Sequence, residues 1–156
     1  MGGFTVRTTL NIKAAPADVY TSLITGVGKW WDSAHTFSHD ARNMSIDGKP
    51  MGCFCEKLPG GGGVRHMEVV YADPGKGLVM SGALGPLLSQ AAAGSMEIHM
   101  TAAPEGTKLA VTYAVTGYLP AGMSSWAAPV DSVINQQFNR LKNYIERGDP
   151  ASKSAN

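Results

Sequence analysis

The chain has 156 residues, 44% hydrophobic and only 16% charged, with a formal net charge of +1. A chain of this length is expected to form one domain burying about 70% of its unfolded surface. The near-zero charge, with Lys and Arg scattered, argues against an electrostatically driven nucleic-acid binder, which would show a basic stripe. No apolar run reaches the roughly 18 residues of a membrane-spanning helix, so no membrane insertion is expected.

Phe4, Val6, Thr8, Leu10 and Ile12 alternate with polar residues and predict a half-buried strand. Met1-Gly2-Gly3 precedes it without the features of a signal peptide. The default expectation is a cytoplasmic protein, or an exported one if a leader has been removed. Ala14-Ala15-Pro16 breaks the strand, and Pro16 suits the first turn of a short helix holding Val19, Tyr20, Leu23 and Ile24. Gly26 and Gly28 separate this from a second short helical piece that ends on Trp30-Trp31. Residues 33–43 read as a polar loop. Strand signals then fill 44–47, 52–58, 64–72, 77–84, 95–102 and 107–118. Ile134, Phe138, Leu141 and Ile145 form one apolar stripe of a long helix over 131–147, with Asp131 or Ser132 as N-cap and Gly148 and Pro150 as stop signals. The domain is placed at 4–148, with 1–3 and 149–156 as flexible termini.

One helical stripe needs one large partner surface, and the strands provide it. The fold predicted is α+β: a seven-stranded curved antiparallel sheet, two short helices after the first strand, and the long C-terminal helix in the sheet's concavity. Connections in an antiparallel meander alternate between the two ends of the sheet. Compact turns at 47–50, 73–76 and 104–106 fall on one end; the longer segments 33–43, 59–63, 85–94 and 118–130 fall on the other, where a binding mouth is expected. A two-residue turn at Pro74-Gly75 sets Tyr71 opposite Leu78 and Val69 opposite Met80; the turn at 103–106 sets Met100, Ile98 and Met96 opposite Leu109, Val111 and Tyr113. The apolar lining expected to touch a ligand comprises Trp30, Met67, Tyr71, Met80, Leu84, Tyr113, Trp126, Ile134 and Phe138. Loops 85–94 and 118–130 are apolar enough to cap a cavity, pack on each other or form a homodimer contact.

Titratable residues are few. A five-residue hairpin at 59–63 pairs Glu56 with His66, and a carboxylate beside an imidazole orients it and raises its basicity, a usable general base. The register that turns Met67 and Val69 inward sends His66 outward, unless a bulge near the mouth reverses it. Both readings, a solvent-face link and a cavity dyad, stay open. His35, just after Trp31 in a mouth loop, is the third candidate catalytic residue. His35 and His39 have a spacing that on a helix would place two imidazoles on one face for a metal, but their segment reads as loop and lacks the Glu of zinc-protease helices, so no metal is expected. Gly60–Gly63 joins two strands rather than opening a helix and is followed by no Lys-Ser/Thr, so it reads as a flexible hairpin rather than a phosphate loop. No cofactor is expected. Cys53 and Cys55 on one strand would stand about 6.5–7 Å apart, a poor disulfide geometry, and read as two thiols.

The stretch Ile12-Lys13-Ala14-Ala15-Pro16-Ala17-Asp18-Val19-Tyr20, the Trp30-Trp31 pair and Asp73-Pro74 with Leu78 resemble the START-like SRPBCC superfamily, in its polyketide-cyclase-like or heat-shock-ATPase-activator-like branches. The resemblance implies a helix-grip fold with a cavity between sheet and C-terminal helix that takes a hydrophobic or amphipathic ligand. Fold alone does not select an activity. The expected function is binding of a small hydrophobic molecule. The alternatives are a cofactor-independent cyclase, dehydratase or hydrolase using Glu56, His66 or His35, and a co-chaperone-like protein-binding domain, which the low charge content disfavours.

Overall fold

A computed structural model describes residues 2–151 of the chain, so Met1 and the expected loose tail at 152–156 lie outside the described residues. The architecture is the one expected: a seven-stranded antiparallel sheet in the order β1-β7-β6-β5-β4-β3-β2, two short helices after β1, and one long helix at the end. The strands are β1 (Gly2–Ile12), β2 (Met44–Ile46), β3 (Cys53–Lys57), β4 (Gly63–Asp73), β5 (Gly77–Ser81), β6 (Ala91–Ala103) and β7 (Gly106–Tyr118). The helices are α1 (Pro16–Thr25), α2 (Val27–Trp30) and α3 (Ala127–Arg147). Gly2 and Gly3 are not loose; they pair with Gly117 and Thr116 of β7.

Local chemistry explains the element ends. Pro16 opens α1, where a missing N–H costs nothing, and the N–H of Gly26 closes it on the carbonyl of Ser22. The start of α3 departs from expectation. Asp131 does not cap the helix, because the 3₁₀ turn Met123–Trp126 runs straight into it at Ala127. Pro129 is tolerated there because the first turn needs none of its N–H groups. At the other end Gly148 adopts φ 72° and donates to the carbonyl of Tyr144, the left-handed stop that glycine permits.

The core lies between the sheet's inner face and α3, with Ile134, Phe138 and Leu141 buried against Val69, Leu78, Met96, Ile98, Leu109 and Val111. Strands β6 and β7 pair in the expected register, Met96 with Tyr113, Ile98 with Val111 and Met100 with Leu109. Strands β4 and β5 agree at Val69 and Met80 but not toward the turn. There the loop is one residue longer than a two-residue turn, since Asp73 pairs with Gly77, and a bulge at Val70 takes up the difference. Tyr71 therefore faces Val79 rather than Leu78 and is 51% exposed. Its assignment to the ligand lining is corrected.

A second bulge matters more. Cys53 pairs with Glu68 and Phe54 with Met67, but Cys55 pairs with Arg65, so three residues of β3 face four of β4. His66 is the extra residue, and the kink turns it and Met67 to the same inner face. At that point β3 is also contracted: Cys53 and Cys55 lie 5.4 Å apart at Cα and form a disulfide. The expectation of two thiols assumed a regular strand, and the departure from it at the bulge brings the pair into disulfide range, about 4.4–6.8 Å.

Candidate functional site

The site grows from this bulge. His66 is 3% exposed, and its Nε2 lies 2.9 Å from Glu56 Oε1. The two residues are not direct cross-strand partners, since Glu56 pairs with Val64; the bulge brings the side chains together diagonally. Glu56 also accepts the backbone N–H of Phe37 on Oε1 at 3.2 Å and that of Ser38 on Oε2 at 2.6 Å. Burial pushes the Glu56 carboxyl pKa up, but the hydrogen bonds from Ser38, His66 and Phe37 outweigh it and hold the pKa below the usual carboxylate value. Glu56 is thus a carboxylate, and Nε2 of His66 carries the hydrogen that points at it. In the neutral ring Nδ1 then keeps its lone pair, and this buried atom has no hydrogen-bond partner. Phe37 stacks on the imidazole at 5.8 Å and 24°, and Phe54 packs at 5.4 Å on a tilt.

His66 forms part of the wall of a cavity of about 250 Å³. The remaining wall comes from Trp31 and the 34–37 loop, from 84–87, from Tyr113, and from Trp126, Pro129, Val130, Val133 and Ile134 at the start of α3. The cavity lies at the end of the sheet where the long connections gather, although 59–63 contributes nothing to it. Of the residues expected to touch a ligand, Leu84, Tyr113, Trp126 and Ile134 line it. Trp30, Met67, Met80 and Phe138 do not; they are closed into the core. Trp30 packs on Phe138 at 5.9 Å and donates its indole N–H to the carbonyl of Ser22.

The walls are held in place by polar bonds. The Tyr113 hydroxyl donates to the carbonyl of Gly82 and accepts from the N–H of Leu84, both at 2.9 Å. Burial pushes its pKa up to about 12, so the hydroxyl stays neutral. The 32–36 loop is tied to α3 by two glutamines. Gln137, wholly buried, accepts the N–H of Asp32 at 2.8 Å; Gln136 donates to Asp32 Oδ2 at 3.0 Å and faces His35 Nε2 at 3.1 Å. His35 sits at the cavity wall on this network, apart from the Glu56–His66 pair. Among the described residues no group of three His, Cys, Asp or Glu side chains is placed to hold a metal.

Phe37, Leu87, Val130 and Val133 escaped the sequence reading of the wall. Phe37 is the only aromatic residue in 33–43, and that was the available signal. The backbone bonds from Phe37 and Ser38 to Glu56 leave no trace in residue type. Among the described residues no helix is long and apolar enough to cross a membrane.

No protein-family model matches the chain, and no curated protein matches it in sequence. Solved structures do match. An uncharacterised protein from Rhizobium leguminosarum aligns over 94% of this chain and 96% of its own at 18% identity and a TM-score of 0.68. The Aha1 dimer structure from Colwellia psychrerythraea aligns over 93% of this chain and 98% of its own, with 18% identity and a TM-score of 0.66. DynU16, from the dynemicin biosynthetic locus, aligns over 96% of this chain but 49% of its own, with 18% identity and a TM-score of 0.64. Likeness at this identity establishes architecture alone, and the architecture is the helix-grip-like α+β fold.

Proposed function

We propose that the chain binds a small apolar molecule of one or two rings in the cavity between the sheet and α3, and that the ligand presents one hydrogen-bond donor to His66. The observation that carries this reading is the Nδ1 atom of His66, buried and without a hydrogen-bond partner, on a residue that lines a mostly apolar cavity. Leaving such an acceptor without a donor costs about 1–3 kcal/mol, and a ligand hydroxyl or N–H recovers it. Size follows from volume. A cavity of about 150 Å³ suffices for benzene, and drug-sized ligands need roughly 300 Å³ or more, so 250 Å³ suits a molecule between them. Trp31, Phe37 and Trp126 favour a flat, aromatic one. Phe37 is 47% exposed and stacks over the imidazole, so its side chain is the piece that moves aside for entry.

The test uses 2-naphthol and naphthalene, which differ by one hydroxyl. Titration should show saturable binding of both, with 2-naphthol tighter by about tenfold on the native chain and equal to naphthalene on His66→Phe. Absence of saturable binding of either probe would sink the reading. Native mass spectrometry of the purified protein would identify a ligand carried along.

The Glu56 carboxylate also supports a second reading, in which His66 takes a proton from the bound molecule. An ionised partner 2.9 Å from Nε2 stabilises the imidazolium that such a transfer forms. With the natural ligand identified, Glu56→Gln and His66→Asn should both abolish its turnover; full activity in either would end this reading.

A further inference from the structure

The Cys53–Cys55 disulfide lies outside the cavity and no step above uses it. Both cysteines are half-buried on the outer face of β3, while Phe54 and Glu56 between and beside them point inward. Cys55 has Ser45 of β2 and Arg65 of β4 as its cross-strand neighbours, and Cys53 has Glu68, with Arg65 and Glu68 paired at 3.2 Å. A basic residue such as Arg65 at the cross-strand position favours the leaving thiolate at Cys55. The bridge also spans the one step at which β3 and β4 lose register, and that step is what brings His66 inside.

We propose that Cys53–Cys55 is a thiol–disulfide exchange site, open to small or protein dithiols, and that its redox state sets which face of the sheet His66 occupies. In the exchange, a thiolate of the dithiol attacks one sulfur to form a mixed disulfide. The second thiol of the dithiol then displaces the protein sulfur. The dithiol becomes a disulfide, and the protein gains two electrons and two protons as two thiols. Bridged, β3 is held contracted at 5.4 Å between Cys53 and Cys55, and four residues of β4 must arch over three. Released, the strand extends toward the regular spacing of about 6.5–7 Å. The bridge then no longer opposes a one-residue slide of β4 toward its loop, where Gly60, Gly61, Gly62 and Gly63 absorb the slack; a Cβ at Gly60 or Gly61 would meet nothing within 4 Å. A one-residue slip exchanges the faces of every residue involved. Cys55 then pairs with His66, which turns outward, and Arg65 comes opposite Glu56. The glycine loop and the bulge are two halves of one mechanism: slack at one end, a removable clamp at the other.

The experiment follows the His66 ring itself, and only its 2-naphthol arm rests on the proposed function. The Nε2 proton of His66, bonded to Glu56, should give a protected downfield resonance in the oxidised protein, assigned by its loss in His66→Phe. Dithiothreitol at neutral pH should release two titratable thiols from the native protein, remove that resonance with circular dichroism unchanged, and weaken 2-naphthol binding by about tenfold. Reoxidation should restore all three, and Cys53→Ser/Cys55→Ser should match the reduced protein. A bridge that resists the dithiol until the protein unfolds would overturn the exchange site. A His66 resonance identical in the oxidised and reduced proteins would overturn the coupling.

Discussion

At the scale of the residue, Glu56 has more to lose than its neighbours. Three donors converge on two oxygens: the N–H of Phe37, the N–H of Ser38 and Nε2 of His66. Glu56→Gln keeps the shape but replaces one acceptor oxygen with an NH₂ that faces a donor. The variant should be less stable by about 2 kcal/mol at pH 7, read by urea denaturation. Its pH dependence has a definite sign. The folded pKa of Glu56 lies below the ordinary value of 4.5, so the carboxylate's contribution is complete above 4.5 and is lost as pH falls through the folded value. The native chain should therefore lose stability more steeply than Glu56→Gln below pH 4.5, and parallel curves there would contradict the hydrogen-bonded carboxylate. The sequence shows the residue types of this pair but not its geometry. Alternation alone places His66 outside; only the extra residue in β4 reverses that, and bulges have no residue signature as clear as a turn's.

At the scale of the element, legibility follows the turns. The β6–β7 register was readable because Pro104-Glu105-Gly106 admits one compact turn, and every pair from Ala103 to Met96 follows from it. The β4–β5 hairpin was half readable: the apolar pair Val69–Met80 is in place, but one more loop residue and a bulge at Val70 moved Tyr71 to solvent. The stripe of α3 was clear, yet its start was not, because a 3₁₀ turn carrying Met123 and Trp126 continues the helix backward past a proline. That extension is what brings Pro129 and Val130 to the cavity. Strand packing makes its own demand at Gly94 of β6. A Cβ there would lie 2.6 Å from the carbonyl of Gly82, 2.8 Å from Tyr113 Cε2 and 3.0 Å from its hydroxyl. Gly94→Ala should cost about 1–3 kcal/mol and displace the Tyr113 ring that anchors Leu84 at the wall, so 2-naphthol binding should weaken along with thermal stability. Unchanged melting would show that the strands part more easily than this packing implies.

At the scale of the whole molecule, the cavity is a gap in a core that otherwise fills the sheet's concavity, so filling it should stabilise everything around it. With 2-naphthol at about a hundred times its dissociation constant, linkage gives about 2.7 kcal/mol and a melting temperature higher by roughly 5–10 °C. His66→Phe should show a smaller shift at the same concentration. The order of strands in the sheet has a consequence of a different kind. β1 is made before the other strands of the sheet, but among the described residues its only strand partner is β7, the last of them. At about 5–20 residues per second, a growing chain emits β7 roughly 5–20 s after β1. Throughout synthesis, then, an eleven-residue strand with alternating apolar side chains waits without a ladder, while β2 to β6 can already pair in sequence. Closing that long loop is the step whose entropy must be met before its contacts repay it. The nascent chain is most open to aggregation, and most in need of a holding chaperone, just before its last strand appears.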